Sequence, residues 1–214
     1  MRECLNGMEV MERIEALSQI KIEIIEGKKE AQMIYSSHIM ENLDKRKSFL
    51  YIDVGGGSTE LSLFMDNRLL GSNSFNIGTI RMLDNKDRIE DWESMKNWIK
   101  SNTLNIRGIQ AIGTGGNINK LFRLAMEKDG IPMPTSKLKA LYQYLSSYSL
   151  KDRINILGLK QDRADVILPA AEIFLAVCRW ANIKSIHVPK SGLVDGIIQE
   201  LITKNLQEKD GLWV

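Results

Sequence analysis

Two segments of the chain combine glycines, hydroxyls and carboxylates in a pattern suited to phosphate chemistry. The first is Asp53-Val54-Gly55-Gly56-Gly57-Ser58-Thr59-Glu60, and the second is Gly113-Thr114-Gly115-Gly116-Asn117. Glycine admits positive φ and leaves no Cβ in the way. Successive N–H groups can then converge on one anion. Ser58 and Thr114 add hydroxyl donors. Asp53 closes an apolar run, where a carboxylate is costly unless it is hydrogen-bonded or holds a cation. Next to a phosphate cradle, a Mg2+ bridged by Asp53, or Mn2+ in its place, is the natural reading. Mg2+ prefers one or two carboxylates together with phosphate oxygens and water. Glu60 lies close enough along the chain to order the same water shell. In-line phosphoryl transfer needs this kind of equipment: a positioned water, a base, and donors on the phosphoryl oxygens.

The elements that must carry these residues follow from periodicity. Phe49-Leu50-Tyr51-Ile52 is a continuous apolar run, as expected of a strand buried on both faces. Thr59–Met65 alternates, Asp66-Asn67 suits a two-residue hairpin turn, and Arg68–Ile77 is the returning strand. The first glycine segment thus joins strand to strand. That excludes the dinucleotide-binding turn and the Walker loop, which both run from strand to helix. Ile109–Ile112 is a short strand entering the second glycine segment. That segment opens a helix bearing Ile118, Leu121, Phe122 and Ala125, whose free N–H groups and dipole favour a phosphate.

Elsewhere, Gly7–Gln19 has helical spacing, Ile20–Glu26 alternates like a strand, and Lys28–Met40 reads as a helix. Ile80–Leu83 and Ile89–Lys100 are expected helices, and Gly130–Pro134 a loop. Ser136–Trp180 reads as helical in three pieces. Gly158 breaks it, and Pro169 either kinks or starts its last helix. Ile186–Val188 is a last strand, and Ser191 caps a final helix. The economical reading is one α/β domain, a mixed sheet with flanking helices.

Composition narrows the function classes. The 29 basic and 27 acidic residues leave a net charge of +2. Nothing in that balance supports nucleic-acid binding, so anion affinity must come from local geometry. Cys4 and Cys178 are far apart and have no metal-like spacing, which favours a reducing, cytoplasmic setting. No signal core and no apolar stretch of membrane length occur. His38 and His187 stand apart from any cluster. Trp92 and Trp98 read as core rather than as a nucleobase platform.

At Asp53–Glu60 the sequence resembles the exopolyphosphatase/guanosine-pentaphosphate phosphohydrolase family. Three further segments agree in order: Ile24-Ile25-Glu26-Gly27-Lys28-Lys29-Glu30-Ala31, then Ile112–Gly116, then Gly192-Leu193-Val194-Asp195-Gly196. The resemblance runs from about Arg2 to Leu201. It implies an actin-like (ribonuclease H-like) domain of the actin/sugar-kinase/Hsp70 superfamily over residues 1–206, with a tail at 207–214. It also implies Mg2+-dependent hydrolysis of the terminal phosphoanhydride of polyphosphate or guanosine pentaphosphate. Carried over by position, Glu30 matches the general base, and Asp53 and Glu60 match the acidic pair supporting metal and water. Gly55, Gly56, Gly57 and Ser58 match one phosphate cradle, and Gly113, Thr114, Gly115 and Gly116 the other. Lys28 and Lys29 favour an ionised Glu30.

Departures from the family pattern qualify this. Members carry a first domain with another phosphate loop ahead of the segment seen here, and that half-site is expected to be missing. The chain alone is then a half-enzyme, and the face left open allows a homodimer. Pro169-Ala170-Ala171 stands where many members have glycine near the proline. Two other readings stay open: a non-catalytic polyphosphate- or nucleotide-binding module, and an actin-like ATPase or kinase.

Overall fold

The computed structural model describes residues 6–24, 47–66, 68–189, 198 and 202. Glu30, Cys4, His38, the 28–40 helix, the Ser191 cap and the Gly192–Gly196 motif lie outside the described residues.

The elements are α1 (Gly7–Ser18), β1 (Phe49–Val54), β2 (Thr59–Met65), β3 (Arg68–Phe75), α2 (Thr79–Leu83), α3 (Ile89–Thr103), β4 (Gln110–Thr114), α4 (Gly116–Leu124), β5 (Met133–Pro134), α5 (Thr135–Ser146), α6 (Leu150–Asn155), α7 (Gln161–Ala164), α8 (Ile167–Trp180) and β6 (Ser185–His187). The strands form one mixed sheet in the order β3-β2-β1-β4-β6-β5. β1, β2 and β3 are an antiparallel meander. β4 and β6 add in parallel, and β5 closes the far edge antiparallel to β6. The expected mixed α/β class is what the chain adopts.

Alternate strand residues face opposite sides of the sheet. On one side Leu50, Ile52 and Val54 join Leu61, Leu63, Ala111 and Ile186 in the main core, with Met95 and Ile99 from α3 and Ile173, Phe174 and Val177 from α8. The other side carries Phe49, Tyr51, Phe64 and Ile112, which are equally buried. Burial on both faces explains why β1 is apolar without interruption until Asp53. Fully burying one such side chain is worth about 1.5–3 kcal/mol, so this register is strongly specified.

Three expectations need correction. Residues 19–24 are not a strand. Gln19 ends α1 in the left-handed conformation, and Ile20 and Ile24 are exposed while Ile22 is only partly buried, so among the described residues the alternation forms no continuous buried face. The loop expected over Gly130–Pro134 contains β5, recruited because Met133 pairs with Ile186. The stretch after Ser136 holds four helices rather than three. Pro169 lies in the first turn of α8, where a missing N–H costs nothing, so it starts the helix and does not kink it. Among the described residues no helix is long and apolar enough to cross a membrane.

Candidate phosphate site

The two glycine segments meet at one end of the sheet. Asp53 on β1 pairs with Glu60 on β2 and with Thr114 on β4. All three side chains therefore stand side by side on the face opposite the main core. Asp53 and Glu60 are only partly buried, and Gly56 and Gly57 are exposed. The site opens to solvent.

The first loop is a tight turn closed by the Gly55 N–H donating to the Ser58 carbonyl, 2.9 Å. Its carbonyls are taken up by the start of α2. The N–H of Thr79 donates to Gly55 at 3.0 Å, and those of Ile80 and Arg81 donate to Gly56 at 2.9 and 3.1 Å. Arg81 Nε adds a bond to the Gly57 carbonyl at 2.9 Å. The carbonyls of Gly55, Gly56 and Gly57 are thus all taken up by donors of α2, while Gly56 and Gly57 themselves are exposed. This loop needs glycine for close approach and not for positive φ. A Cβ on Gly56 would lie 3.1 Å from Ile80 Cγ1, and neither Gly55 nor Gly56 has φ in the left-handed region. Gly78 supports it from behind, where a Cβ would come within 2.4 Å of the Gly56 carbonyl oxygen.

The second loop is built differently. Gly113 and Thr114 are still strand residues. A Cβ on Gly113 would meet Ile118, Phe174 and Ile186 at 3.0–3.1 Å, so this glycine has a packing reason of its own. Gly115 precedes α4 with φ 98° and ψ 164°, a region essentially reserved for glycine. There it brings the loop against β1, and a Cβ on it would lie 3.1 Å from Asp53 Oδ1. As expected, this segment opens a helix, with Gly115 immediately before its first turn.

Hydroxyls tie the first loop to Glu60 and β1 to the second loop. Ser58 Oγ donates to Glu60 Oε1 at 2.6 Å, and Ser74 Oγ donates to the same oxygen at 3.1 Å. Tyr51 OH donates to Thr114 Oγ1 at 2.6 Å in a buried position.

Two cations here escaped sequence reasoning. Arg81 lies in the first loop's supporting helix. Arg163, on α7, donates from Nη1 to Asn117 Oδ1 at 3.1 Å, and its guanidinium sits against Gly116, where a Cβ would be 2.9 Å from it. Arg163 is far from both loops in sequence, and no local spacing marks it. Gly78, placed just after the returning strand, was the available signal for the α2 contact.

Other singled-out residues have structural places. Burial, and then the Lys47 charge, lowers the His187 pKa, and its ring meets Phe49 edge-on. The Cys178 thiol is buried and pushed up to about 12, which leaves it inert. Trp98 packs edge-on against Phe75, and Trp92 packs at the core's margin.

No cluster of three metal-ligating side chains occurs among the described residues. Two in-register carboxylates beside exposed loop glycines are nevertheless the donor set that suits Mg2+ shared with substrate oxygens. The fold and the site together define a mixed α/β domain in which two glycine loops meet beside paired carboxylates at one end of the sheet.

Comparison with known proteins identifies it further. The chain belongs to the Ppx/GppA phosphatase family, whose model matches residues 1–205. It is 28% identical over 200 residues to a protein of Photobacterium profundum named guanosine-5'-triphosphate,3'-diphosphate pyrophosphatase, covering 86% of this chain and 39% of that one. A Haemophilus influenzae relative, named only provisionally as an exopolyphosphatase, is 27% identical over 98% of this chain and 69% of its own length. Among solved structures, an exopolyphosphatase from Cytophaga hutchinsonii superposes with a TM-score of 0.78 at 23% identity, over 95% of this chain and 72% of that one. An Aquifex aeolicus Ppx/GppA family member gives 0.72 at 20% identity, with 95% and 72% coverage. The chain thus spans well under half the length of the Photobacterium relative.

Proposed function

We propose that this domain supplies the catalytic acids and two phosphate loops for hydrolysing a terminal phosphoanhydride, in inorganic polyphosphate or guanosine pentaphosphate. The observation that carries the reading is the in-register row of Glu60, Asp53 and Thr114, with Gly115 against Asp53. It joins both glycine loops to the carboxylates at one sheet end. The amides of Gly56 and Gly57 and the start of α4 hold phosphoryl oxygens. Arg163, beside Gly116, adds a positive charge to the second loop.

Glu30 is the general base. It takes one proton from the attacking water as the water oxygen bonds to the terminal phosphorus. The bridging P–O bond breaks, giving orthophosphate and a chain shorter by one phosphate. Asp53 would hold Mg2+, with Glu60 ordering its water, and the ion would neutralise phosphoryl charge. Ser58 and Ser74 keep Glu60 oriented as an acceptor.

Phosphate release from long-chain polyphosphate and from guanosine pentaphosphate, with Mg2+, tests this. A chain extended through the family's first domain should release orthophosphate, and Glu30→Gln in it should slow release by about 100-fold or more. An extended chain that releases none from either substrate sinks the hydrolase reading. Retention of polyphosphate by such a chain would then favour the binding-module reading. Equal rates for Glu30→Gln and the parent remove Glu30 as base. Chelation of Mg2+ should abolish release, and rates unaffected by chelation would overturn the metal assignment.

A further inference from the structure

A cavity of about 1080 Å3 opens between α5 and α8, and no residue of the glycine loops lines it. Its position follows from strand direction. β6 runs parallel to β4, with Ala111 against Ile186. β4 ends at Thr114, where the second loop begins. The residues that enter β6, Ile183 and Lys184, line the cavity. They therefore lie at the end of the sheet opposite the glycine loops.

Trp92, Tyr142 and Trp180 supply aromatic wall, and Lys139, Arg179 and Lys184 supply charge. The two indoles meet edge to face with centroids 6.1 Å apart. Trp92 Nε1–H donates to Asp87 at 2.9 Å, which fixes that ring. The Arg179 guanidinium lies 6.0 Å from the Trp180 ring centre. Lys139, Arg179 and Lys184 are exposed, and none of them forms an ion pair among the described residues. Glu172 is the carboxylate of the lining. Three cations against one acid call for an anion, and rigid indole and phenol rings call for a flat π system. A volume near the upper end of small-molecule pockets, about 300–1,000 Å3, accommodates one ligand carrying both.

We infer that this cavity is a second binding site, separate from the glycine loops, for a nucleotide. Its base lies on the aromatic wall, and its phosphates lie on Lys139, Arg179 and Lys184. The site does not depend on the hydrolase reading, because its readout is binding at the other end of the sheet.

Calorimetric titration with GTP tests it, in the parent and in an Arg163→Ala chain whose second glycine loop is weakened. Saturable GTP binding should persist. Lys184→Glu and Arg179→Glu should each weaken it by about tenfold or more, equivalent to about 1.4 kcal/mol. Both side chains are exposed, so these variants should unfold at the parent's temperature. Trp180→Leu should weaken GTP binding while leaving any tripolyphosphate binding unchanged. A GTP affinity that falls in Arg163→Ala as tripolyphosphate affinity does overturns the proposal, since the nucleotide then sits on the glycine loops. Unchanged affinity in both charge-reversal variants overturns it as well.

Discussion

The two glycine loops reach similar ends by different construction. The first joins strand to strand and has no helix of its own. Its carbonyls are drawn to a neighbouring helix, α2: Thr79, Ile80 and Arg81 all donate into it. The second opens a helix directly, and its donors are the unpaired N–H groups of α4. The first loop is thus a property of a tertiary contact. The second depends on one backbone conformation at Gly115. The two should fail in different ways when broken.

The sharpest break is Gly78→Ala. A Cβ there would sit 2.4 Å from the Gly56 carbonyl oxygen and 2.6 Å from the Gly56 and Gly57 carbonyl carbons. Backbone cannot yield as a flexible side chain can, so α2 must move off the loop. Overpacking of this kind costs about 3 kcal/mol. Urea unfolding should show that loss, and tripolyphosphate binding should fall with it. A variant as stable as the parent would show that α2 does not hold the loop.

Gly115→Ala should be milder in stability and harsher in binding. The φ of 98° with ψ 164° strains any side chain, at about 1–3 kcal/mol. The new methyl would also press on Asp53 Oδ1. Calorimetry should show tripolyphosphate affinity reduced by more than the stability loss alone explains. If Gly78→Ala and Gly115→Ala lose stability and affinity in the same proportion, the contrast between the loops is wrong.

How much of this was legible in the sequence follows the same division. Local features were readable: the apolar run of β1, the hairpin at Asp66, and the helix after Gly116 with its buried Ile118, Leu121 and Phe122. The register of Asp53 with Glu60 follows from the short turn between their strands. Contacts between distant segments were not readable. Nothing near Gly56 announces Gly78, and nothing near Gly116 announces Arg163. The alternating Ile20, Ile22 and Ile24 misled for the same reason, since a strand pattern becomes a strand only where a partner and a buried face exist. The first loop's glycines were read as serving both positive φ and the absence of a Cβ; the structure uses only the second at Gly55 and Gly56, for close approach to neighbours that the turn itself does not reveal.

The two arginines sharpen the contrast at smaller cost. Arg81 holds a loop carbonyl, while Arg163 lies beside the helix start with its guanidinium on Gly116. Arg163→Ala should therefore weaken tripolyphosphate binding by about tenfold, as loss of a charge-assisted bond of about 1.5 kcal/mol would, with little change in unfolding. Arg81→Ala should lower stability by about 1 kcal/mol and affect affinity only through the loop's shape. An Arg81→Ala chain that binds as weakly as Arg163→Ala, at parental stability, would assign Arg81 to the anion instead.

The smallest expected effect tests whether the loops are mechanically joined. Tyr51 stands two residues before Asp53 on the same face of β1, and its hydroxyl reaches Thr114 at the mouth of the second loop. Tyr51→Phe keeps the ring, which is buried beside Ile112 in the sheet register, and removes only the oxygen. The lost buried hydrogen bond is worth about 1 kcal/mol. For a chain of this size that corresponds to a fall of about 2–4 °C in Tm. If the bond also fixes Thr114, tripolyphosphate affinity should drop in Tyr51→Phe, and a Thr114→Val change in the same chain should add little further loss. Two independent, additive losses would instead mean that Thr114 is positioned by β4 alone, and that the first loop's strand does not reach across to steady the second.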